Sequence, residues 1–231
     1  MAEGGYQQFC PVAMATEIVC RRWTPLLLRE LACGSTRFND LRRGLPRMSP
    51  ALLSQRLKEL EAAGIVMREK APGERGVFDY RLTKSGEELG PVIMALGRWG
   101  HRWIESTPTL EQLDASLLMW DMRRNLNFDP LPARRLVITF RYSDLPRAKR
   151  DFWILVSPDG ADLCAVDPGF EVDLYVATDL RSMTAIWMGM DTVAAAKAAR
   201  RLTLTGDARL AAGMQRWLGL SRFASEKKLV G

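Results

Sequence analysis

The residues best suited to metal or redox chemistry are four cysteines, Cys10, Cys20, Cys33 and Cys164, and one histidine, His101. No two cysteines form a CxxC pair, whereas a structural zinc site needs four Cys or His ligands in close spacing. Because His101 is the only histidine, a catalytic group that relies on a base histidine elsewhere in the chain is not expected. The second half of the chain carries no Ser-His-Asp, paired-carboxylate or phosphate-loop motif. We therefore predict no metal, no cofactor and no enzymatic activity.

Basic residues are concentrated in one segment of the chain. Nine Lys or Arg lie between Arg21 and Lys58 against two acids, Glu30 and Asp40, in a protein of net charge +6. From residue 108 onward, seventeen basic residues face fifteen acidic ones. Phosphate binding requires such a local excess, because each neutralised phosphate releases a counterion. An ordinary solvated basic surface explains the excess equally well.

A helix beginning after Ser49 is the clearest element that could position this charge. Ser49 is a suitable N-cap, Pro50 suits the first helical position, and Gly64 suits a left-handed C-terminal residue. At 100° per residue, Leu53, Leu57 and Leu60 share one face. Four residues, Ala51, Ser54, Gln55 and Lys58, fall on the opposite face. That face predicts a recognition helix in the major groove, although any amphipathic surface helix also has a polar side.

The neighbouring segments favour the DNA-binding interpretation. Helical patterns precede Ser49 from Pro11 to near the Arg21-Arg22 pair, from Thr24 to Ala32 and over residues 37–44, with Thr24 as the expected N-cap of the second. Strand patterns follow at 65–70 and 77–83, and another helix begins near Ser85. This order is that of a winged helix-turn-helix. The predicted DNA-binding residues are Arg42, Arg43, Arg47, Ser49, Pro50, Ala51, Ser54, Gln55, Lys58, Arg68, Lys70 and Arg75.

Several motifs in residues 8–105 resemble the HxlR family of winged helix-turn-helix regulators. They are Cys10-Pro11-Val12, Arg22-Trp23-Thr24, Phe38-Asn39-Asp40-Leu41, Ser49-Pro50, Leu57-Lys58-Glu59-Leu60 and Tyr80-Arg81-Leu82-Thr83. The resemblance implies a homodimer that binds a pseudo-palindromic operator. It makes Trp99 and Trp103 candidates for the dimer face, with a place in the core of the domain as the alternative. It makes Cys10 a candidate redox sensor, with a half-buried structural thiol as the alternative.

The remaining half of the chain departs from that family. An α+β domain is predicted by strand patterns at 135–142, 152–157, 162–166, 172–177 and 201–205, together with helical patterns around 110–126, 180–188, 192–199 and 207–218. Its motifs, such as Asp167-Pro168-Gly169-Phe170 and Leu202-Thr203-Leu204-Thr205-Gly206-Asp207, resemble the sterol-carrier-protein-2-like domain. That resemblance implies a hydrophobic tunnel. The candidate ligand-binding residues, for which plain core is the alternative, are Phe140, Phe152, Trp153, Trp187, Met188, Met190, Met214 and Trp217.

The sequence thus predicts two domains of α+β class joined at Ser106-Thr107-Pro108-Thr109. Residues 1–107 form the winged helix-turn-helix domain for DNA binding and dimerisation, and residues 108–231 form the sterol-carrier-like domain. The N-terminus lacks the features of a signal peptide, and no stretch approaches a membrane span, so we expect a cytoplasmic protein. We expect a dimeric regulator of transcription, modulated by a small hydrophobic effector. The alternative is a lipid carrier whose winged helix serves protein contacts.

Overall fold

The computed structural model describes residues 5–104 and 113–230, and the chain divides into two compact units, Met1–Gly100 and His101–Gly231. The predicted linker at residues 106–109 lies outside the described residues. The predicted domain boundary between residues 107 and 108 therefore stays a prediction.

The first unit has the element order of a winged helix-turn-helix. Its helices are α1 (Pro11–Val19), α2 (Thr24–Ala32), α3 (Phe38–Gly44) and α4 (Pro50–Ala62). An antiparallel hairpin of β1 (Val66–Lys70) and β2 (Phe78–Leu82) follows, and then α5 (Lys84–Trp103), whose last three residues fall in the second unit. We call this hairpin, with its turn, the wing. The predicted order of helices, hairpin and helix is confirmed.

The ends of α4 follow from three residues of its sequence. The Leu52 amide donates a hydrogen bond of 3.3 Å to the Ser49 hydroxyl, so Ser49 is the N-cap, and Pro50 is the first helical residue. Gly64, just beyond the C-cap, has a φ of 69°, a left-handed conformation that costs glycine little. The predicted start and stop of this helix are confirmed.

The start of α2 differs from the prediction. Trp23, with a φ of 77°, is the N-cap, because its carbonyl accepts the first helical hydrogen bond from the Leu27 amide at 2.9 Å. Thr24 is already inside the helix and is buried. The expectation that Thr24 caps the helix is therefore wrong. Local sequence propensity does not predict a left-handed tryptophan, since non-glycine residues seldom adopt positive φ.

A leucine-rich core holds the first unit together. It joins α2, α3 and α4 to β1 and α5, and Leu53, Leu57 and Leu60 of α4 are at most 1% exposed within it. Each fully buried leucine contributes roughly 1.5–3 kcal/mol relative to an exposed one. Burial of one face of α4 therefore sets which residues of that helix point outward.

The second unit combines helices with one five-stranded sheet, as an α+β class predicts. Its helices are α6 (Ala115–Arg124), α7 (Leu180–Trp187), α8 (Val193–Ala198) and α9 (Ala208–Trp217). Its strands are β3 (Leu136–Tyr142), β4 (Asp151–Ser157), β5 (Gly160–Cys164), β6 (Leu174–Thr178) and β7 (Leu202–Gly206), in the order β5-β4-β3-β6-β7. Only the β3–β6 pair is parallel among the described strand pairs. A short 3-10 helix, Arg147–Lys149, was not predicted.

Candidate nucleic-acid interface

The outward face of α4 carries the predicted reading residues. Ala51, Gln55 and Lys58 are exposed and Ser54 is half-buried, while the leucines of the opposite face are buried. Glutamine offers a donor and an acceptor that match an adenine edge, and lysine reaches guanine or phosphate. The structure thus places these four side chains on one accessible surface of the helix.

One carboxylate fixes the side chains at the middle of α4. Glu59 accepts hydrogen bonds from Gln55 at 3.0 Å and from Arg56 at 2.5 Å, and it pairs with Arg21 at 3.3 Å. Burial by itself raises the pKa of Glu59, but these hydrogen bonds and the charges of Arg56 and Arg21 hold it below the ordinary value. Glu59 is therefore ionised at neutral pH and orients the amide of Gln55.

The turn between α3 and α4 presents the three predicted arginines. Leu45 and Met48 anchor this turn in the core. Arg42, Arg43 and Arg47 are exposed around it, and Arg43 also pairs with Asp40 at 3.1 Å. The hydroxyl of Ser49 is engaged as the helix cap, so its first role is structural. Pro50 likewise starts the helix and is exposed.

Basic side chains also cover the wing. Arg68, Lys70 and Arg75 are exposed. The guanidinium carbon of Arg68 lies 3.6 Å from the ring centroid of Phe78 on the paired strand, a cation–π contact that limits where Arg68 can reach. Two of the predicted wing residues are therefore on β1, and Arg75 is in the turn.

Sequence reasoning missed the residue that ties the wing to α3. Arg37, the N-cap residue of α3, pairs with Asp79 of β2 at 2.8 Å and with Glu74 of the wing turn at 2.7 Å. The Tyr80 amide also donates to the Thr36 carbonyl at 2.8 Å. These partners are some forty positions apart in sequence, so local patterns give no signal for them. Arg37 holds the wing at a defined position beside the helix-turn-helix.

Cys10 is half-buried at the N-cap of α1. The nearby backbone N–H groups of Ala13 and Val12 lower the pKa of its thiol, although the thiol forms no capping hydrogen bond with the helix. The helix N-terminus supplies the same polarity as a nearby cation. This activating feature comes from the backbone, so the identity of the neighbouring side chains gives no sign of it. Redox sensing by Cys10 stays a prediction.

The predicted ligand-binding residues of the second unit lie in different surroundings. Phe140, Phe152, Trp187, Met214 and Trp217 are buried in its core, and Met188 packs against that core. Trp153 is half-buried and alternates along β4 with the core-facing residues, so it is on the other face of the sheet. Met190 is 44% exposed. A shared binding surface for all eight stays a prediction.

Within residues 5–104 and 113–230, no three His, Cys, Asp or Glu side chains are grouped as a metal site would need. Over the same ranges, no helix combines the length and apolar character that crossing a bilayer demands.

Comparison with known proteins shows which family the first unit resembles. The family model of the HxlR-like helix-turn-helix matches residues 18–108. The uncharacterized HTH-type transcriptional regulator YvaP of Bacillus subtilis is 36% identical over 99 residues, which cover 42% of this chain and 92% of that protein. The uncharacterized HTH-type transcriptional regulator sll1512 of Synechocystis is 35% identical over 109 residues, which cover 47% of this chain and 78% of that protein.

A similar solved structure is the reduced form of the transcriptional regulator YodB from B. subtilis. It is 33% identical, with a TM-score of 0.37, over 42% of this chain and 97% of that one. The family model ends at residue 108, so the sterol-carrier resemblance of the second unit stays a prediction. Through its winged helix-turn-helix the chain belongs to the HxlR-like family, whose members compared here are HTH-type transcriptional regulators with DNA as the implied partner.

Proposed function

We propose that the protein is a dimeric, sequence-specific DNA-binding regulator of transcription whose operator affinity responds to a small hydrophobic effector. The observation that carries the DNA-binding part is the accessible face of α4. Gln55 and Lys58 project from that face, beside the exposed Arg42, Arg43 and Arg47. A helix that reads base edges, flanked by cations on phosphates, is the contact pattern of a winged helix.

Exposed apolar side chains on α1 and α5 support a dimer. Val92, Leu96, Trp99 and Trp103 recur at helical spacing along α5, and each is more than half exposed. Phe9, Val12 and Met14, in and just before α1, are 98%, 68% and 58% exposed. Apolar surfaces of this kind mark association sites. A two-fold dimer would present two copies of α4 to a pseudo-palindromic operator.

The effector part of the proposal places the ligand in the second unit. Its core is rich in flexible methionines and aromatic rings, among them Met183, Met214 and Trp217. Methionine adapts to irregular apolar ligands. A ligand there changes DNA binding only if it has different affinities for the DNA-bound and DNA-free states.

The test of base reading uses the protein's own upstream DNA and a scrambled duplex of equal length. We expect Gln55→Ala with Lys58→Ala to weaken binding to the upstream duplex by at least about tenfold, because a good base contact is worth about 1–3 kcal/mol. Loss of selectivity over the scrambled duplex should accompany it. Lys197→Ala removes the same charge from an exposed site on α8 and should change neither affinity. Unchanged selectivity in the double variant would rule out α4 as the reader.

The effector part is tested with anilinonaphthalene sulfonate as a fluorescent hydrophobic probe. Its affinity for the full chain is measured with and without saturating upstream DNA. Linkage requires that the two values differ, and that the probe changes the affinity for DNA by the same factor. Equal probe affinities would contradict effector modulation. An absence of salt-sensitive DNA binding, with the probe still bound, would favour the lipid carrier.

A further inference from the structure

A second feature of the first unit is a cavity of about 470 Å³ among α1, α2 and α4. Ile18, Leu60, Ala62 and Ala63 give it apolar walls, and Thr24 also lines it. Its volume lies within the range of small-molecule sites, roughly 300–1,000 Å³. All of these residues belong to the first unit, so the cavity is distinct from the ligand site proposed for the second.

Thr24 gives this cavity its chemical character. The residue is 1% exposed, and its hydroxyl has no hydrogen-bond partner anywhere in the described parts of the chain. A buried hydroxyl without a partner is costly, and such groups are rare in folded proteins. The backbone of Thr24 is held in place, because the residue starts α2 and its amide donates to the Arg21 carbonyl at 2.9 Å. A molecule in the cavity that exchanges a hydrogen bond with this hydroxyl would remove the cost.

One ion pair also borders the cavity. Arg21 and Glu59 line it and pair with each other at 3.3 Å, so their charges are matched. The ligand therefore needs no net charge of its own. The surroundings select a neutral, mostly apolar molecule that carries one hydrogen-bonding group.

We propose that this cavity is a binding site for a small, uncharged, mostly apolar molecule with a single hydroxyl or carbonyl group, held by Thr24. Leu60 and Ala62 belong to α4, so the bound molecule contacts the helix that carries the reading residues. This proposal stands apart from the proposed DNA-binding function. Its test contains no DNA, so a failure of either proposal leaves the other unaffected.

The test compares benzyl alcohol with toluene, which has the same ring but no hydroxyl. Both are titrated into the methyl-labelled full chain, and saturable shifts of the Ile18 and Leu60 methyl signals give the affinities. We expect the preference of the parent protein for benzyl alcohol over toluene to exceed that of the Thr24→Val variant by on the order of fivefold, the worth of one net hydrogen bond. Thr24→Val keeps the shape of the side chain and should abolish that preference while toluene binding persists.

The matched control is Thr139→Val. Thr139 of β3 is also a buried threonine whose hydroxyl lacks a partner among the described residues, but it lies in the second unit. This variant should bind both probes as the parent does. Ala63→Leu fills the cavity without touching the hydroxyl and should abolish the shifts for both probes. An absence of saturable shifts at Ile18 and Leu60, or a preference for the alcohol that survives Thr24→Val, would overturn the proposal.

Discussion

Gly44 is required by a buried carboxylate rather than by its freedom to stop a helix. A Cβ built on residue 44 would lie 1.9 Å from Oε2 of Glu30, which is 0% exposed. Glu30 cannot move aside, because its carboxylate pairs with Arg29 at 2.7 Å and accepts a bond from Ser35 at 3.3 Å. Gly44 has no positive φ. The sequence predicts the end of α3 there, but for a different reason.

We therefore expect Gly44→Ala to lower the free energy of unfolding by about 1–3 kcal/mol, the usual cost of overpacking. Denaturant unfolding followed by circular dichroism measures it. Gly213→Ala in α9 is the matched control, because its new Cβ would meet Trp217 at 3.5 Å, an ordinary contact. That variant should be neutral or slightly stabilising, since alanine favours helix. Equal effects of the two substitutions would refute the steric account of Gly44.

Cys10 provides a pH-dependent prediction. The backbone N–H groups of the first turn of α1 lower the pKa of its thiol from the ordinary 9.0, and a lowered pKa means that thiolate is present at lower pH. The rate of alkylation by iodoacetamide, read at Cys10 by peptide mass spectrometry, should therefore rise with pH to a midpoint below 9.0. Adding denaturant removes the helix and should move the midpoint upward. A midpoint that is the same in folded and unfolded protein would contradict the effect of the helix.

Residue roles could be predicted where they depend on near neighbours in sequence. Ser49 caps a helix that starts at the next residue, so the prediction succeeded. Glu30 with Gly44, and Arg37 with Asp79, meet only after the chain has folded, and no periodicity links them. Trp23 was missed as the N-cap because its left-handed backbone reflects tertiary packing rather than propensity.

Elements of regular structure followed the hydrophobic period closely. Every predicted helix and strand within the described ranges is present, with ends that differ by a few residues. The apolar stripe on α5 shows the limit of such patterns. A period of 3.6 identifies the face of Leu96 and Trp99, yet it cannot say whether that face packs within the domain or against another chain. Both residues are 56% exposed, which favours association.

Leu96→Glu tests that role of α5. In a two-fold dimer the substitution would bring two charges into an apolar interface, at a cost of several kcal/mol. We expect the dimer dissociation constant to rise by at least about 100-fold, measured by analytical ultracentrifugation. Val166→Glu places the same charge on a 78% exposed apolar residue of the second unit and should leave the constant unchanged. A dimer that tolerates Leu96→Glu would exclude this face of α5 from the interface.

The molecule as a whole joins a basic DNA-binding unit to a second unit whose charges are nearly balanced. The basic excess between Arg21 and Lys58 is on the helix-turn-helix elements and their approaches. The sequence predicted this distribution and the α+β class of the second unit. The chemistry of the second unit could not be predicted to the same depth, because its candidate residues are apolar, and apolar residues suit a protein core as well as a ligand site.

The central claim is DNA recognition, and it is tested most directly by fluorescence anisotropy with the upstream duplex between 50 and 200 mM salt. The account predicts tight binding that exceeds binding to a scrambled duplex and falls steeply with salt. With about 6–10 phosphates contacted by a dimer, the affinity should drop by roughly 10³–10⁵ over that range. Binding that is weak, equal for both duplexes and indifferent to salt would contradict it.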